Sequence, residues 1–505
     1  MGVNICENNC AREFFRTVQE QIAYKPVRKE ACKELENHLE DKTEEYINSG
    51  MSEEMAVVQA VKEMGDPTAV GVKLNESYSL QKDYKLLGLI LLAVLGGMIS
   101  NWVYGYEIFY SFYFFIGMAI LLVVTVYGYR FCAKHMKILT AAAIVYGGLW
   151  ICYSIIQEIL KVRYASGIED ILWRWNADYD NFLIGAVHKL FSLTPRFNGM
   201  FLAVPLCAVL LYRGRNKKVF GLAASGALIL AVTAGTVMSP LMDYQLTAAV
   251  IVIISYLGLS FAAAAIGKDK KVLIPILVTF ACFALPAIGK GNELKEITEL
   301  FLTPEKQAVS PWEDGYNGVL IKELLGRSKL IGGIGLTEEE IWEYGMGDWY
   351  FENGTDDFYR PVIHEKNPEI EDILPQHYLN NYRIAYVIIK YGWAAGILFL
   401  AGLAGMIGLF FYTTFHIRNR LGFLMAFGSS MVLTMQIVFY VLGNFGHQFG
   451  RFPNLPFISE GTVSIAVNMT LAGLILSAYR YDRVVKEESL QIWKSGKEPE
   501  KISMV

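Results

Sequence analysis

Residues 384–412 read IAYVIIKYGWAAGILFLAGLAGMIGLFFY, a run whose only charge is Lys390. As a helix rising about 1.5 Å per residue, a run of this length exceeds a hydrocarbon core of about 30 Å. Backbone placed in lipid must satisfy its own hydrogen bonds, so the run is read as a helix and not a strand. Nine further apolar runs flank it, near Leu86–Val103, Ile108–Tyr129, Ile138–Leu160, Phe197–Tyr212, Val219–Met238, Gln245–Ile266, Val272–Ile288, Leu421–Leu442 and Gly461–Tyr479. The fourth is the shortest, contains Pro205, and has an earlier start available in the apolar stretch Phe182–Leu193. With 53% hydrophobic and 19% charged residues, the 505-residue chain carries far more apolar surface than a soluble protein needs. The expectation is an all-α polytopic membrane protein of about ten transmembrane helices.

The residues before the first run form a separate block, 1–80, with no apolar signal-peptide core at its start. Ala11 to Tyr24 is predicted helical, ending at Lys25-Pro26, where proline permits a restart. Val27 to Asn48 carries an apolar stripe of Ala31, Leu35, Leu39 and Tyr46–Ile47, with Gly50 as its C-terminal cap. Ser52 is predicted to cap a third helix with Glu53 and Glu54 in its first turn, and Asp66-Pro67 opens a fourth. Cys6, Cys10 and Cys32 lack CxxC pairing and are read as free thiols. The other cysteines (Cys132, Cys152, Cys207 and Cys282) fall in no external loop, so no disulfide framework is expected.

Loop charge sets the orientation. Arg130, Lys134 and Lys137, then Arg213, Arg215, Lys217 and Lys218, then Lys268, Lys270 and Lys271, then Arg418 and Arg420 occupy alternate loops; Arg480, Arg483 and Lys486 follow the last run. Ten spans put all of these on one side with the N-terminal block. Both termini are therefore expected in the cytoplasm of a cell-membrane protein, with 483–505 as a cytoplasmic tail. Lys161–Arg196 and the loop Lys290–Tyr382 are expected outside. That loop holds nineteen acidic and eight basic residues, and loops of such length usually have a role. Membrane lipids are the expected surroundings, and no nucleic-acid partner is expected.

Two resemblances overlie these readings. Glu34-Leu35-Glu36-Asn37-His38-Leu39-Glu40-Asp41, then Ala60-Val61-Lys62-Glu63-Met64-Gly65-Asp66-Pro67 and Val70-Gly71, resemble the short cytoplasmic prefix domain ahead of some Gram-positive permeases and membrane regulators. This implies a helical adaptor with a cytoplasmic partner. Within the transmembrane domain, 84–482, a second pattern runs from about Phe197 to Tyr481. Pro311-Trp312-Glu313-Asp314-Gly315-Tyr316-Asn317 is followed by Leu330-Ile331-Gly332-Gly333-Ile334-Gly335. Leu374-Pro375 leads into Ile384-Ala385-Tyr386-Val387-Ile388 and Gly392-Trp393, and Asn444 precedes Leu455-Pro456-Phe457-Ile458-Ser459-Glu460-Gly461. Three such segments, in order, resemble the SEDS family (shape, elongation, division and sporulation), that of FtsW, RodA and SpoVE. The resemblance implies polymerisation of a lipid-linked disaccharide peptide into peptidoglycan outside the membrane, beside a penicillin-binding transpeptidase.

Such a transfer needs a carboxylate to accept a proton from the attacking hydroxyl, and positive charge or a divalent metal at the departing pyrophosphate. The family's external aspartate falls at Asn380 or Asn381, and an amide cannot serve as a base. The family's arginines before Gly-Tyr-Gln are replaced by Glu293, Glu296 and Glu299; its Pro-Asp-x-Gly-Thr is only echoed by Pro240-Leu241-Met242-Asp243. Two readings of the scaffold follow. One has lost transferase activity; the other uses a relocated carboxylate among Asp356, Asp357, Glu371, Asp372 and Glu460. Pro311, Trp312, Tyr316, Pro456 and Ser459 are candidate ligand contacts, and His377 and His447 are read as ordinary loop residues. A flippase, transporter or membrane sensor is the third reading, although spans nearly free of charge argue against ion coupling. No cofactor is identified.

Overall fold

The structure is a computed structural model, and it describes residues 8–103, 108–163, 199–214, 220–237, 242–267, 273–308, 315–344, 369–375, 378–450, 452–459 and 461–485. These divide into two compact units. The first holds the described residues of Met1–Asp83, Ile417–Arg420 and Tyr479–Val505; the second holds those of Tyr84–His416 and Leu421–Ala478.

The first unit opens with α1 (Asn9–Gln21), α2 (Arg28–Asn48), α3 (Glu53–Glu63) and α4 (Pro67–Ser77). Local chemistry sets their ends. The Asn8 side chain accepts from Cys10 N at 2.9 Å, and Asp66 accepts from Ala69 N at 2.9 Å, each satisfying a helix-start donor that has no intrahelical partner. Ser52 caps α3 through its main-chain carbonyl, taking Ala56 N at 2.9 Å, and not through its hydroxyl. Gly50 and Gly65 turn with φ of 97° and 83°, which a side chain would resist. Phe14, Val18, Ile22, Leu35, Leu39, Val57 and Ala60 are buried between the helices, each large apolar chain contributing about 1.5–3 kcal/mol. Lys42 and Tyr46 both reach Glu63, tying α2 to α3.

The second unit is the membrane part. Its first helices are α5 (Tyr84–Val103), α6 (Ile108–Lys134), α7 (Met136–Arg163), α8 (Ala203–Arg213), α9 (Phe220–Val237), α10 (Met242–Gly267) and α11 (Leu273–Leu302). After the short helices α12 (Tyr316–Arg327), α13 (Glu338–Tyr344), α14 (Tyr378–Asn381) and α15 (Arg383–Tyr391) come α16 (Trp393–Phe415), α17 (Arg420–Asn444) and α18 (Thr462–Arg480), of which Arg420, Tyr479 and Arg480 belong to the first unit. Among the described residues, five helices are long and apolar enough to cross a membrane, at Phe112–Lys134, Leu246–Ile266, Trp393–Phe415, Arg420–Asn444 and Thr462–Arg480. Shorter apolar helices lie at Tyr84–Ser100, Met136–Cys152, Gly199–Arg213 and Phe220–Ala234. The fold is that of an all-α polytopic membrane protein.

Three boundaries differ from the hydropathy reading. The run 384–412 is two helices, α15 and α16, because Gly392 between them takes φ 97° and ψ 167°. Helix α11 continues past Ile288 to Leu302, so the acidic loop begins as helix. Pro205 stands in the first turn of α8, where its missing donor costs nothing. The apolar stretch Phe182–Leu193 lies outside the described residues.

Burial distinguishes core from periphery. In α17 and α18, 78% and 72% of the span is buried, against 22% in α6 and in α16. The two central helices are joined by polar contacts, Gln436 Nε2 donating to Asn468 Oδ1 at 2.9 Å, and Asn468 Nδ2 to Ser464 Oγ at 3.2 Å. Ser477 Oγ accepts from Tyr129 N at 3.0 Å, fastening α6 to α18. In lipid, where apolar side chains gain little by meeting each other, such bonds contribute roughly 0.6–2 kcal/mol each.

Candidate functional site

The single helical turn α14 is too short to hold itself. Its two last carbonyls are taken by side chains from elsewhere in the membrane unit. Tyr440 Oη donates to Asn380 O at 2.7 Å, and Asn444 Nδ2 donates to Asn381 O at 2.9 Å. Ser459 Oγ reaches Asn380 O at 3.4 Å. Tyr440 and Asn444 lie four residues apart at the end of α17, so they share a face of that helix.

The same two side chains start α15. Its first donors have no partner within the helix, and its cap residue Tyr382 provides none. Arg383 N donates to Tyr440 Oη at 3.3 Å, and Ile384 N and Ala385 N donate to Asn444 Oδ1 at 2.9 and 3.1 Å. Asn444 is fully buried. Its amide thus fixes α14 and α15 together, with Nδ2 also returning to Tyr440 O at 2.9 Å.

The segment 455–459 completes this side. Ser459 Oγ accepts from Leu455 N at 3.1 Å, closing a tight turn that contains Pro456. Phe457 in that turn takes φ 68°, a left-handed conformation that L side chains resist. Burial of its ring, 6.3 Å from that of Phe410, holds it there. Glu460 lies outside the described residues.

Segment 329–335 packs along the break between α15 and α16. Gly332 N donates to Tyr391 O and Ile334 N to Ile389 O, both at 3.0 Å, while Trp393 N and Ala394 N donate to Lys329 O and Leu330 O at 2.9 Å. A Cβ on Gly392 would lie 2.7 Å from Leu330 O, so this crossing requires glycine by space as well as by φ. Trp393 Nε1 reaches Leu325 O of α12 at 3.3 Å. Tyr316 begins α12, half-buried, and burial pushes its hydroxyl pKa up. Pro311 and Trp312 lie outside the described residues.

The polar chemistry gathers beside this frame. Arg383 is buried at 6% exposure, with Nε donating to Leu379 O at 2.7 Å. Glu371, in the turn Ile370–Asp372, accepts from Lys390 Nζ and from Tyr386 Oη at 2.8 Å; Lys390 Nζ also reaches Tyr386 Oη at 2.8 Å. Burial pushes the Glu371 carboxyl up, but the Lys390 and Tyr386 donors more than offset this and hold it below the usual carboxylate range. A carboxylate so held is a weak base. Asp372 is occupied in a capping box with Glu369, its Oδ2 taking Glu369 N at 2.9 Å. Asn380 Oδ1 is buried without a hydrogen-bond partner. Tyr382 donates to Gln448 Oε1 at 3.1 Å, and burial drives its pKa upward. His447 Nδ1 lies 2.9 Å from Phe301 O.

Of the residues singled out from sequence, Asn381 and Ser459 meet on one hydrogen-bonded frame, Pro456 belongs to the same turn, and Glu371 lies on the adjoining segment. Asp356, Asp357 and His377 lie outside the described residues. Sequence reasoning missed Tyr440, Arg383, Tyr386 and Lys390. Lys390 had a signal, being the one charge in a long apolar run, where a cation requires a partner. Among the described residues no three His, Cys, Asp or Glu side chains come together.

The class is therefore a polytopic membrane protein with a pinned turn, 378–381, fastened by its central helix. No protein-family model matches the chain, and no curated protein matches it. Among solved structures it is similar to a chain from work described as structural coordination of polymerization and crosslinking by a peptidoglycan synthase complex. The identity is 15%, covering 80% of this chain and 99% of that one, at a TM-score of 0.48.

Proposed function

We propose that this chain is a divergent SEDS-like protein of cell-wall assembly, cell division or cell shape, which binds lipid-linked peptidoglycan precursor at the turn 378–381 without polymerising it. One observation carries the reading. Segments that bear the family resemblance meet along α15: Asn444 and Ser459 reach the carbonyls of Asn381 and Asn380 just before its start, and 330–335 lies on its C-terminal end. The position that a transferase would fill with a carboxylate is an amide. Of the described candidate carboxylates, Glu371 is taken up by Lys390 and Tyr386 and Asp372 by its capping box.

In this reading, the buried Arg383 and the paired Lys390 supply positive charge to a phosphate-bearing headgroup, and the amides offer neutral hydrogen bonds. The N-terminal helices act in the cytoplasm, the loop 290–382 faces outward, and a penicillin-binding transpeptidase is the proposed partner. Purified protein titrated with fluorescent lipid-linked disaccharide peptide should bind it saturably. An equal amount of polyprenyl phosphate without the sugar should compete at least tenfold less well. Equal competition, or no binding, overturns the reading.

A further inference from the structure

The first unit contains a second set of long-range contacts, unrelated to the turn 378–381. Asp482 is buried at 5% exposure, and its Oδ1 accepts from Arg418 N at 2.7 Å and Asn419 N at 2.8 Å. Asn419, equally buried, answers with its own amide: Nδ2 donates to Asp482 O at 2.7 Å and to Val485 O at 3.1 Å. Four hydrogen bonds thus join the loop before α17 to the segment after α18. Asn419 stands at the N-cap position of α17, where an asparagine ordinarily serves its own helix; here its donor is turned to the other segment.

The N-terminal helices meet this same joint. Gln81 N donates to Arg480 O at 3.1 Å, Arg483 Nη1 reaches Glu76 O at 3.5 Å, and the rings of Tyr24 and Tyr481 lie 6.4 Å apart. Tyr481 and Val484 are buried. One feature is unlike a permanent fastening. Asp482 Oδ2 is buried with no hydrogen-bond partner, and a buried carboxylate oxygen left unsatisfied opposes closure.

We propose that Asp482 and Asn419 form an openable latch, which seats the N-terminal helices on the segments 417–420 and 479–485 of the same unit and lets their docking be regulated. This goes beyond the proposed binding at 378–381 and does not depend on it. Closed, the latch presents Arg480 O, Arg483 and Tyr481 to the helices; open, it withdraws all three contacts together.

Hydrogen exchange on the full chain in detergent tests this, since exchange reports local opening. In Asp482→Ala, peptides covering Gln81 and Arg418–Asn419 should exchange at least tenfold faster, while those within α2 and α3 keep the wild-type rate. Asp482→Asn retains a carbonyl oxygen to accept the two main-chain donors, so its exchange should stay within about threefold of wild type. Unchanged exchange at Gln81 in the alanine variant overturns the proposal. So does equal acceleration throughout α2 and α3, which would mean general loss of folding, or an asparagine variant as open as the alanine one.

Discussion

Replacing Asn444 with alanine is the sharpest perturbation of the pinned turn. The side chain holds Ile384 N, Ala385 N and Asn381 O in a fully buried place. Its bond to Tyr440 O matters less, since that carbonyl also faces the helical ladder of α17. Alanine therefore strands two donors and one acceptor. Each buried polar group left unsatisfied costs about 1–3 kcal/mol. Local relaxation and water entry recover part of this, so we expect a loss of about 3–5 kcal/mol, at the upper end for single substitutions. The assay is reversible unfolding in mixed micelles, with hydrogen exchange across 378–391 in parallel. Exchange there should accelerate more than that of α18, and precursor binding should fall with it. Asn444→Asp should also destabilise, because a carboxylate can accept from Ile384 and Ala385 but cannot donate to Asn381 O. A loss below about 1 kcal/mol for Asn444→Ala, with unchanged exchange at 384–385, would refute the claim that this amide organises the site.

Two other outcomes follow from the same geometry. Glu371 is depressed below its usual pKa in the folded chain, so the stability it gains from Lys390 and Tyr386 is fully present above the unfolded value of about 4.3 and fades as pH falls through the folded value. Measured as wild type minus Glu371→Gln, and discounted for the partly exposed Lys390, the difference should be about 1–2 kcal/mol near pH 7. It should shrink below about pH 4; growth of the difference in acid would show that the sign is wrong. Gly392→Ala should cost about 2–4 kcal/mol, because a side chain meets both an adverse φ and the Leu330 carbonyl. Thermal unfolding checks it, and a neutral result would mean that the break between α15 and α16 is not enforced there.

Much of the membrane fold was legible, because lipid imposes one rule on every apolar run and helix is the only local answer. The N-terminal caps at Asp66 and Gly50 were legible for a similar reason, being set by neighbours in sequence. What was hidden depends on contacts distant in sequence. Hydropathy runs unbroken through Gly392, so the break there shows only once segment 329–335 is seen crossing it. Glu371 gave no hint of its pairing with Lys390, nineteen residues on. Asn444 carried a family resemblance, but its role as the cap of a helix sixty residues away follows only from packing. The Asp482–Asn419 joint was invisible, since each residue reads singly as an ordinary polar group beside a span.

The central claim is that the 378–381 turn binds and does not transfer. The direct measurement incubates purified protein with lipid-linked disaccharide peptide and resolves the glycan products by size, comparing wild type, Asn381→Asp and Glu371→Gln. The account predicts no chains from wild type or Glu371→Gln, and detectable chains when a carboxylate returns in Asn381→Asp. Chains made by wild type and abolished in Glu371→Gln would contradict it, and would place the catalytic base at Glu371.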